Sequence, residues 1–361
     1  MKIGVIGAGS WGTAISALLG KKDYEVRLWA REPEVVEGIN SRHANPLYLT
    51  ENSLPQSVRA VAGMGEAVDG ADLVIMATPS HWVGETAQVL APYLAPDCTV
   101  LNLAKGFEQG TGRRLSQVLQ EALNPRGLRI VAALAGPNHA EEVIREIPSA
   151  TVVATPDPEA AARLQRIFHT PYFRVYTSSD LVGVECGAAY KNVVAIAAGM
   201  LDGLGLGDNT KATLVTRGLA EMTRYGCKLG ARPSTFSGLS GVGDLIVTCF
   251  SRHSRNRGFG EQLAVAGRAA DELQASSRMV VEGVYATRVV MAMSGSLGIE
   301  LPVAGAVSSV IAGEKTAGDA LQDLMSRGLK EEVEDDLYEG YYGRPPAARS
   351  CGEAAPGDGV G

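Results

Sequence analysis

The chain has little cysteine, and what it has is scattered. Cys98, Cys186, Cys227, Cys249 and Cys351 are odd in number and show no metal-ligand spacing, so neither a disulfide framework nor a metal site is expected. Reduced structural thiols and a cytoplasmic setting follow as the expectation. A positive excess is also missing. The 33 Lys and Arg residues are outnumbered by 40 Asp and Glu, for a formal charge of −7, which argues against nucleic acid or an anionic membrane as the main partner. No apolar run is uninterrupted for the length of a bilayer, because the most apolar later segment carries Glu185, Lys191 and Asn192. Met1 leads directly into an apolar stretch, so no signal peptide is expected. There is no internal repeat. With 45% hydrophobic and 20% charged residues the composition is that of an ordinary folded protein, and 361 residues suggest two domains.

Glycine is abundant, at 43 residues, and its most informative cluster opens the chain. Ile3, Val5 and Ile6 form an apolar run suited to a buried parallel strand, Gly7, Gly9 and Gly12 follow, and Thr13 to Leu19 has helical spacing. In a strand–turn–helix unit Gly7 would permit the tight turn and Gly9 would let the backbone approach a pyrophosphate. Gly12 would let helix and strand pack closely, with the phosphates at unpaired helix amides. A glycine-rich turn without a ligand has the same composition, and the strand-to-helix context favours the dinucleotide. Glu25 to Trp29 reads as a second strand, ending in Ala30-Arg31-Glu32. An arginine here accommodates the 2′-phosphate of NADP and an acidic residue holds the 2′-hydroxyl of NAD. Arg31 therefore favours NADP, while Glu32 keeps NAD open and a solvated arginine is the plainer alternative.

Further strands are expected at Leu73–Ala77, Thr99–Leu103, Ile130–Leu134, Ala150–Ala154 and Phe173–Tyr176, with helices at Trp82–Leu90 and Pro158–Phe168. Ligands of open α/β sheets bind outside the carboxyl ends of the strands. That places Lys105 after one strand, and Gly136-Pro137-Asn138-His139 after the next, where chemistry can occur. Asn138 can cap the following helix, and His139 is either an acid/base or, more simply, a polar contact or cap. From Leu181 onward strand signals stop. Glu185 to Gly199 is apolar nearly all round, as a buried helix would be, yet Lys191 sits in its middle. A buried ammonium needs a partner or a lowered pKa. An ion pair with Glu185 or a snorkelling side chain would explain it structurally, and a general acid/base would explain it functionally. Thr210 to Leu229 continues as helix with Arg217 and Glu221 one turn apart. Asp244, after a glycine turn, either caps a helix or approaches Lys191. Ser254, Arg255 and Asn256 lie in a run with three arginines (Arg252, Arg255, Arg257) and His253, the strongest anion-site candidate in an acidic chain. Val280 to Gly283 opens a helix, and Pro302–Ile311 and Thr316–Met325 are the last ones. The fold class is thus α/β: a Rossmann-type, doubly wound, mostly parallel sheet over 1–179, then an all-helical domain over 180–342, with a Gly/Pro-rich tail over 343–361 expected to be disordered.

These residues resemble the bacterial NAD(P)-dependent glycerol-3-phosphate dehydrogenases. The likeness runs from Lys2 to about Met325 through seven ordered motifs: Gly7-Ala8-Gly9-Ser10-Trp11-Gly12, Ala104-Lys105-Gly106, Ala135-Gly136-Pro137, Tyr190-Lys191-Asn192-Val193, Gly241-Val242-Gly243-Asp244-Leu245, Ser254-Arg255-Asn256 and Val280-Val281-Glu282-Gly283. It implies a 6-phosphogluconate-dehydrogenase-like helical domain and reversible reduction of dihydroxyacetone phosphate to sn-glycerol 3-phosphate, the precursor of glycerophospholipids. By the same resemblance Lys191 is the proton acceptor, with Lys105 and Asp244 completing the catalytic set. Lys105, Gly136, Asn138, Lys191, Asp244, Ser254, Arg255 and Asn256 match substrate contacts. Gly7, Gly9, Ser10, Trp11, Gly12, Arg31, Lys105, Ala140, Arg255, Val280 and Glu282 match cofactor contacts. The chain departs from the commonest pattern at Asn138-His139, where Ser or Thr and an aromatic residue are usual, and at Phe107. A homodimer is expected from small-residue helices such as Val303 to Ile311. Two other readings share the glycine loop. One is a lysine-dependent dehydrogenase of the β-hydroxy acid or ketopantoate type, and the other is a non-catalytic NADPH-binding sensor.

Overall fold

The computed structural model describes residues 1–123, 130–266, 270, 273, 280–329, 331 and 332. The tail beyond Gly343 and Cys351 lie outside the described residues. Met1–Arg327 forms one compact unit.

Eight strands make a single sheet in the order β3-β2-β1-β4-β5-β6-β7-β8. They are β1 (Lys2–Ile6), β2 (Glu25–Trp29), β3 (Val58–Val61), β4 (Leu73–Met76), β5 (Thr99–Asn102), β6 (Val131–Ala135), β7 (Ser149–Ala154) and β8 (Phe173–Ser178). β1 to β6 run parallel, β7 is antiparallel to β6, and β8 is parallel to β7. Every residue of β4, β5 and β6 is buried, as helices on both faces of a parallel sheet require. Chain order reverses between β1 and β4, whose carboxyl ends therefore leave a crevice. The edge strand β3, Val-Arg-Ala-Val, is an addition to the sequence reading. Its four residues, interrupted by the exposed Arg59, form no continuous apolar run of strand length.

The second half is built on the helix Leu181–Gly203, which is one turn longer at each end than its apolar pattern suggested. Asp180 sets its start by accepting from the amide of Gly183 at 2.9 Å. Among the described residues this is the one helix long and apolar enough to cross a membrane, and 94% of its most apolar window is buried inside the protein. The helix Arg255–Ala266 crosses it with backbone almost on backbone: a Cβ on Gly199 would collide with the Arg257 carbonyl, and one on Gly260 with the Ile196 carbonyl. Arg257 and Lys211 both pair with Asp202 on the central helix. Glu221, on the helix Asp208–Lys228, is buried and accepts from the Tyr190 hydroxyl at 3.0 Å and from the amides of Val303 at 2.6 Å and Ala304 at 3.2 Å. It thereby caps the helix Pro302–Ile311. Val303, Ala304, Val307, Val310 and Ile311 of that helix are buried in the chain's own core, while Gly305, Ala306, Ser308 and Ser309 are partly exposed.

Gly199→Ala tests the close crossing. Overpacking costs about 1–3 kcal/mol, so thermal unfolding should shift down by several degrees, and an unchanged melting temperature would contradict this packing.

Candidate active site

The glycine turn leaves β1 at the sheet's switch point. Gly7 has φ +117°, which a side chain would strain. A Cβ on Gly12 would strike the Gly7 carbonyl, whereas Gly9 faces open space. The helix Ser10–Gly20 begins here with its first backbone bond from the Thr13 amide to the Gly9 carbonyl, 2.9 Å. The amides of Ser10, Trp11 and Gly12 thus have no carbonyl one turn earlier to bond. The buried Trp11 Nε1 and, beyond β4, Thr78 Oγ1 have no partner among the described residues. A backbone cradle open at Gly9, free helix amides and orphaned polar atoms are what a dinucleotide's pyrophosphate and ribose would satisfy, so the residues present fit that group. At the end of β2, Arg31 is exposed over 78% of its side chain and, among the described residues, pairs with its neighbour Glu32 at 2.9 Å. Ala140 opens the short helix Ala140–Val143 after β6. Glu282, at the start of Glu282–Leu297 and two residues after Val280, accepts from the Ser80 amide at 3.0 Å and from the Ser80 hydroxyl. The opening of the helical half is thereby tied to the turn after β4.

Two lysines converge on one carboxylate. Asp244, at the first position of the helix Asp244–Phe250, is 1% exposed and accepts from Lys105 Nζ at 2.9 Å and from Lys191 Nζ. Lys105 comes from the turn after β5 and also donates to Asn138 Oδ1 at 3.1 Å and the Gly136 carbonyl at 3.3 Å. Lys191 comes from the central helix and donates to Thr248 Oγ1 at 2.9 Å, while Thr248 donates to the Asp244 carbonyl. Burial lowers the Lys191 ammonium to about 7, with Lys105 pushing the same way and Asp244 opposing. Burial alone would raise the Asp244 carboxyl, but the two ammonium groups hold it below its ordinary value.

The basic loop leads into a helix that touches the central helix next to Lys191, through Asn256 and Asn192. Ser254 caps the helix Arg255–Ala266, its hydroxyl accepting from the Arg257 amide at 3.2 Å. Arg255 is exposed. Asn256 is buried, donating to Asn192 Oδ1 at 2.9 Å and accepting from the Gly283 amide at 2.8 Å, so its amide binds central helix and final helices together.

Several sequence expectations change here. Glu185 does not pair with Lys191. It accepts from Arg114 at 2.7 Å and from the amide and hydroxyl of Ser116 at 2.7 and 2.5 Å, because its place on the central helix faces the segment after β5. Arg257 is not a free anion donor, being drawn to Asp202 and Glu261. Asp244 does not choose between capping and Lys191: it opens a helix and holds both lysines. Thr248 was missed, though it lies one turn beyond Asp244 and so shares its helix face. The structure brings Lys105, Gly136, Asn138, Lys191 and Asp244 into one cluster, with Ser254 and Asn256 joined to it through the helices. Arg31 and the glycine turn lie along the sheet edge instead.

Comparison with known proteins agrees with this layout. Residues 2–161 match the family described as NAD-dependent glycerol-3-phosphate dehydrogenase N-terminus, and residues 180–322 match the corresponding C-terminus. The glycerol-3-phosphate dehydrogenase [NAD(P)+] of Chlorobium limicola is 46% identical over 335 residues, covering 92% of this chain and 100% of the relative. That of Moorella thermoacetica is 47% identical over 332 residues, covering 92% and 98%. The crystal structure of glycerol-3-phosphate dehydrogenase from Coxiella burnetii superposes with a TM-score of 0.85 at 33% identity, over 90% of this chain and 99% of that one. With both halves matched, and relatives this similar along their whole length, the chain belongs to the NAD-dependent glycerol-3-phosphate dehydrogenase family.

Proposed function

We propose that this chain interconverts sn-glycerol 3-phosphate and dihydroxyacetone phosphate with a nicotinamide dinucleotide, NADP before NAD. The observation that carries the reading is the Lys105–Asp244–Lys191 cluster at the carboxyl edge of the sheet, beside a glycine turn fitted to a pyrophosphate. The names of the relatives, which couple this substrate to NAD(P)+, support it.

Oxidising an alcohol at carbon requires that its oxygen lose a proton as the hydride leaves, and reduction requires the reverse. The nicotinamide, when bound, takes up or supplies that hydride. Lys191 is the proton carrier: with its pKa at about 7, ammonium and amine are both populated near neutrality. The neutral amine accepts the C2 hydroxyl proton, and the ammonium returns a proton to the carbonyl oxygen. Asp244 fixes the Nζ of Lys191 through a hydrogen bond and balances the charge of two lysines. Lys105 and Asn138, already bonded to one another, orient the substrate oxygens. Arg255 and the N-terminal amides of its helix hold the phosphate, by charge-assisted hydrogen bonding and by the partial positive charge of the helix end. Ser10, Trp11 and the glycines take the dinucleotide phosphates, and Arg31, turning from Glu32, meets a 2′-phosphate. The same reading has the enzyme in the cytoplasm, consistent with Cys98, Cys186, Cys227 and Cys249 being free thiols.

Steady-state assays with dihydroxyacetone phosphate and each nicotinamide test substrate and cofactor together. Lys191→Ala should lower kcat by at least ~100-fold, and retained NADPH oxidation would remove Lys191 from the chemistry. The same lysine fixes the pH dependence. Because the oxidative direction needs the amine, its kcat/KM should rise through a limb near 7, and the reductive kcat/KM should fall above it. Profiles with the same slope in both directions would contradict the assignment. Arg255→Ala should raise KM for the phosphorylated ketone by one to two orders of magnitude, on the order of 1.5–3 kcal/mol for a charged hydrogen bond; an unchanged KM would take the phosphate elsewhere. With Arg31→Ala, use of NADPH should fall about tenfold while use of NADH holds, as expected for loss of roughly 1.4 kcal/mol from a single charge contact. An equal loss of both would place Arg31 away from the 2′ position.

A further inference from the structure

The turn after β6 and the loop before Arg255 each carry a histidine, and the fold brings the two together. The rings of His139 and His253 lie with centroids 6.0 Å apart, although 114 residues of chain separate them by number (253 − 139). His139 Nε2 is buried and has no partner among the described residues, which is costly for a polar atom unless something else completes it. The neighbours of His139 are those of the reaction cluster. Asn138 before it accepts from Lys105. His253 stands two residues before Arg255 and next to Ser254, the cap of the Arg255 helix.

We infer that His139 and His253 form a pair of substrate-phosphate ligands, closing on the phosphate from the sheet side and the helical side of the cleft. The inference rests on the proposed function, and it deepens that reading by adding two contacts and a pH dependence. A phosphate at the N-terminus of the Arg255 helix lies beside His253, and the orphaned Nε2 of His139 is the donor across from it. The charges around His139 set when that donor is a cation. Lys105 from the turn after β5 and Lys191 from the central helix disfavour its protonation, as does its burial. Glu141 on its own short helix and Asp244 on the Asp244–Phe250 helix favour it, and the balance holds its pKa below the ordinary histidine value. Arg252 and Arg255 flank His253 on its loop and add to the positive side. A bound phosphate dianion reverses the balance, so phosphate binding draws a proton onto His139. Binding therefore strengthens as the pH falls towards the second phosphate pKa of about 6.

The test is steady-state kinetics of the full chain with dihydroxyacetone phosphate, and with inorganic phosphate as competitive inhibitor, for wild type, His139→Gln and His253→Gln. In the wild type, KM should rise with pH above neutrality. His139→Gln should raise KM about tenfold near pH 6.5 and flatten that rise, with kcat within about threefold. The inhibition constant of inorganic phosphate should rise by the same factor, which a merely structural defect in hydride transfer would not produce. His253→Gln, at an exposed position and so tolerant of change, should raise both constants at least threefold and carries the test if the His139 variant does not fold. Wild-type KM and phosphate inhibition in either folded variant overturns the pair. A wild type inactive on dihydroxyacetone phosphate with both nicotinamides overturns the proposed function instead, so the two failures are distinct.

Discussion

The structure turns on one buried carboxylate serving two ammonium groups. Asp244 is almost fully enclosed, and an isolated charge there would be expensive. Lys105 and Lys191 remove that expense, but only if the turn after β5, the central helix and the helix opened by Asp244 all arrive at one point. Each ion is tolerable because of the other two. The same enclosure that demands the pairing also depresses the Lys191 pKa, so the burial that folding requires is also what brings this amine's titration close to neutrality.

A scaffold of polar contacts between distant segments keeps that arrangement in register. Asn192, next to Lys191, accepts from Asn256, and Asn256 accepts from the Gly283 amide. Glu282 reaches on to Ser80 after β4. Glu185, nearer the start of the central helix, grips Arg114 and Ser116. These bonds run from the helical half to the turns at the sheet's carboxyl edge, so the position of the lysine on its helix is referred to the strands that carry the cofactor turn. The close crossing at Gly199 and Gly260 does the same for the basic loop. It lets the Arg255 helix lie directly on the central helix.

The two ends of the cleft are built differently. The end at the glycine turn is mostly backbone, with glycines, free amides and a positive φ, and the Arg31 side chain beyond β2 is exposed and pairs with Glu32. The end at Asp244 is side chain, charged and buried. A backbone cradle accepts any pyrophosphate, and buried charged groups demand a particular partner. The two regions therefore differ in how much they demand of whatever they hold.

The sequence by itself determined the class of the fold and the glycine turn, and it named the groups that the fold then draws together around Asp244. Strand and helix periodicity, positive-φ glycine chemistry and a lysine inside an apolar helix are local facts, and the ordered motifs from Gly7 to Glu282 made the family legible. It did not determine partners. Glu185 and Asp244 were both carboxylates available to Lys191, and only the crossing of helices sends one to Arg114 and the other to the lysines. Arg252, Arg255 and Arg257 read as one basic run, and the packing on Asp202 withdraws Arg257 from it. β3 and Thr248 were invisible for a related reason: a short edge strand and a single hydroxyl acquire meaning only from the neighbours that pairing gives them. The physical reason is common to all of these. Propensity and pattern act over a few residues, whereas the burial that forces a charge to find its counter-charge is a property of the assembled core.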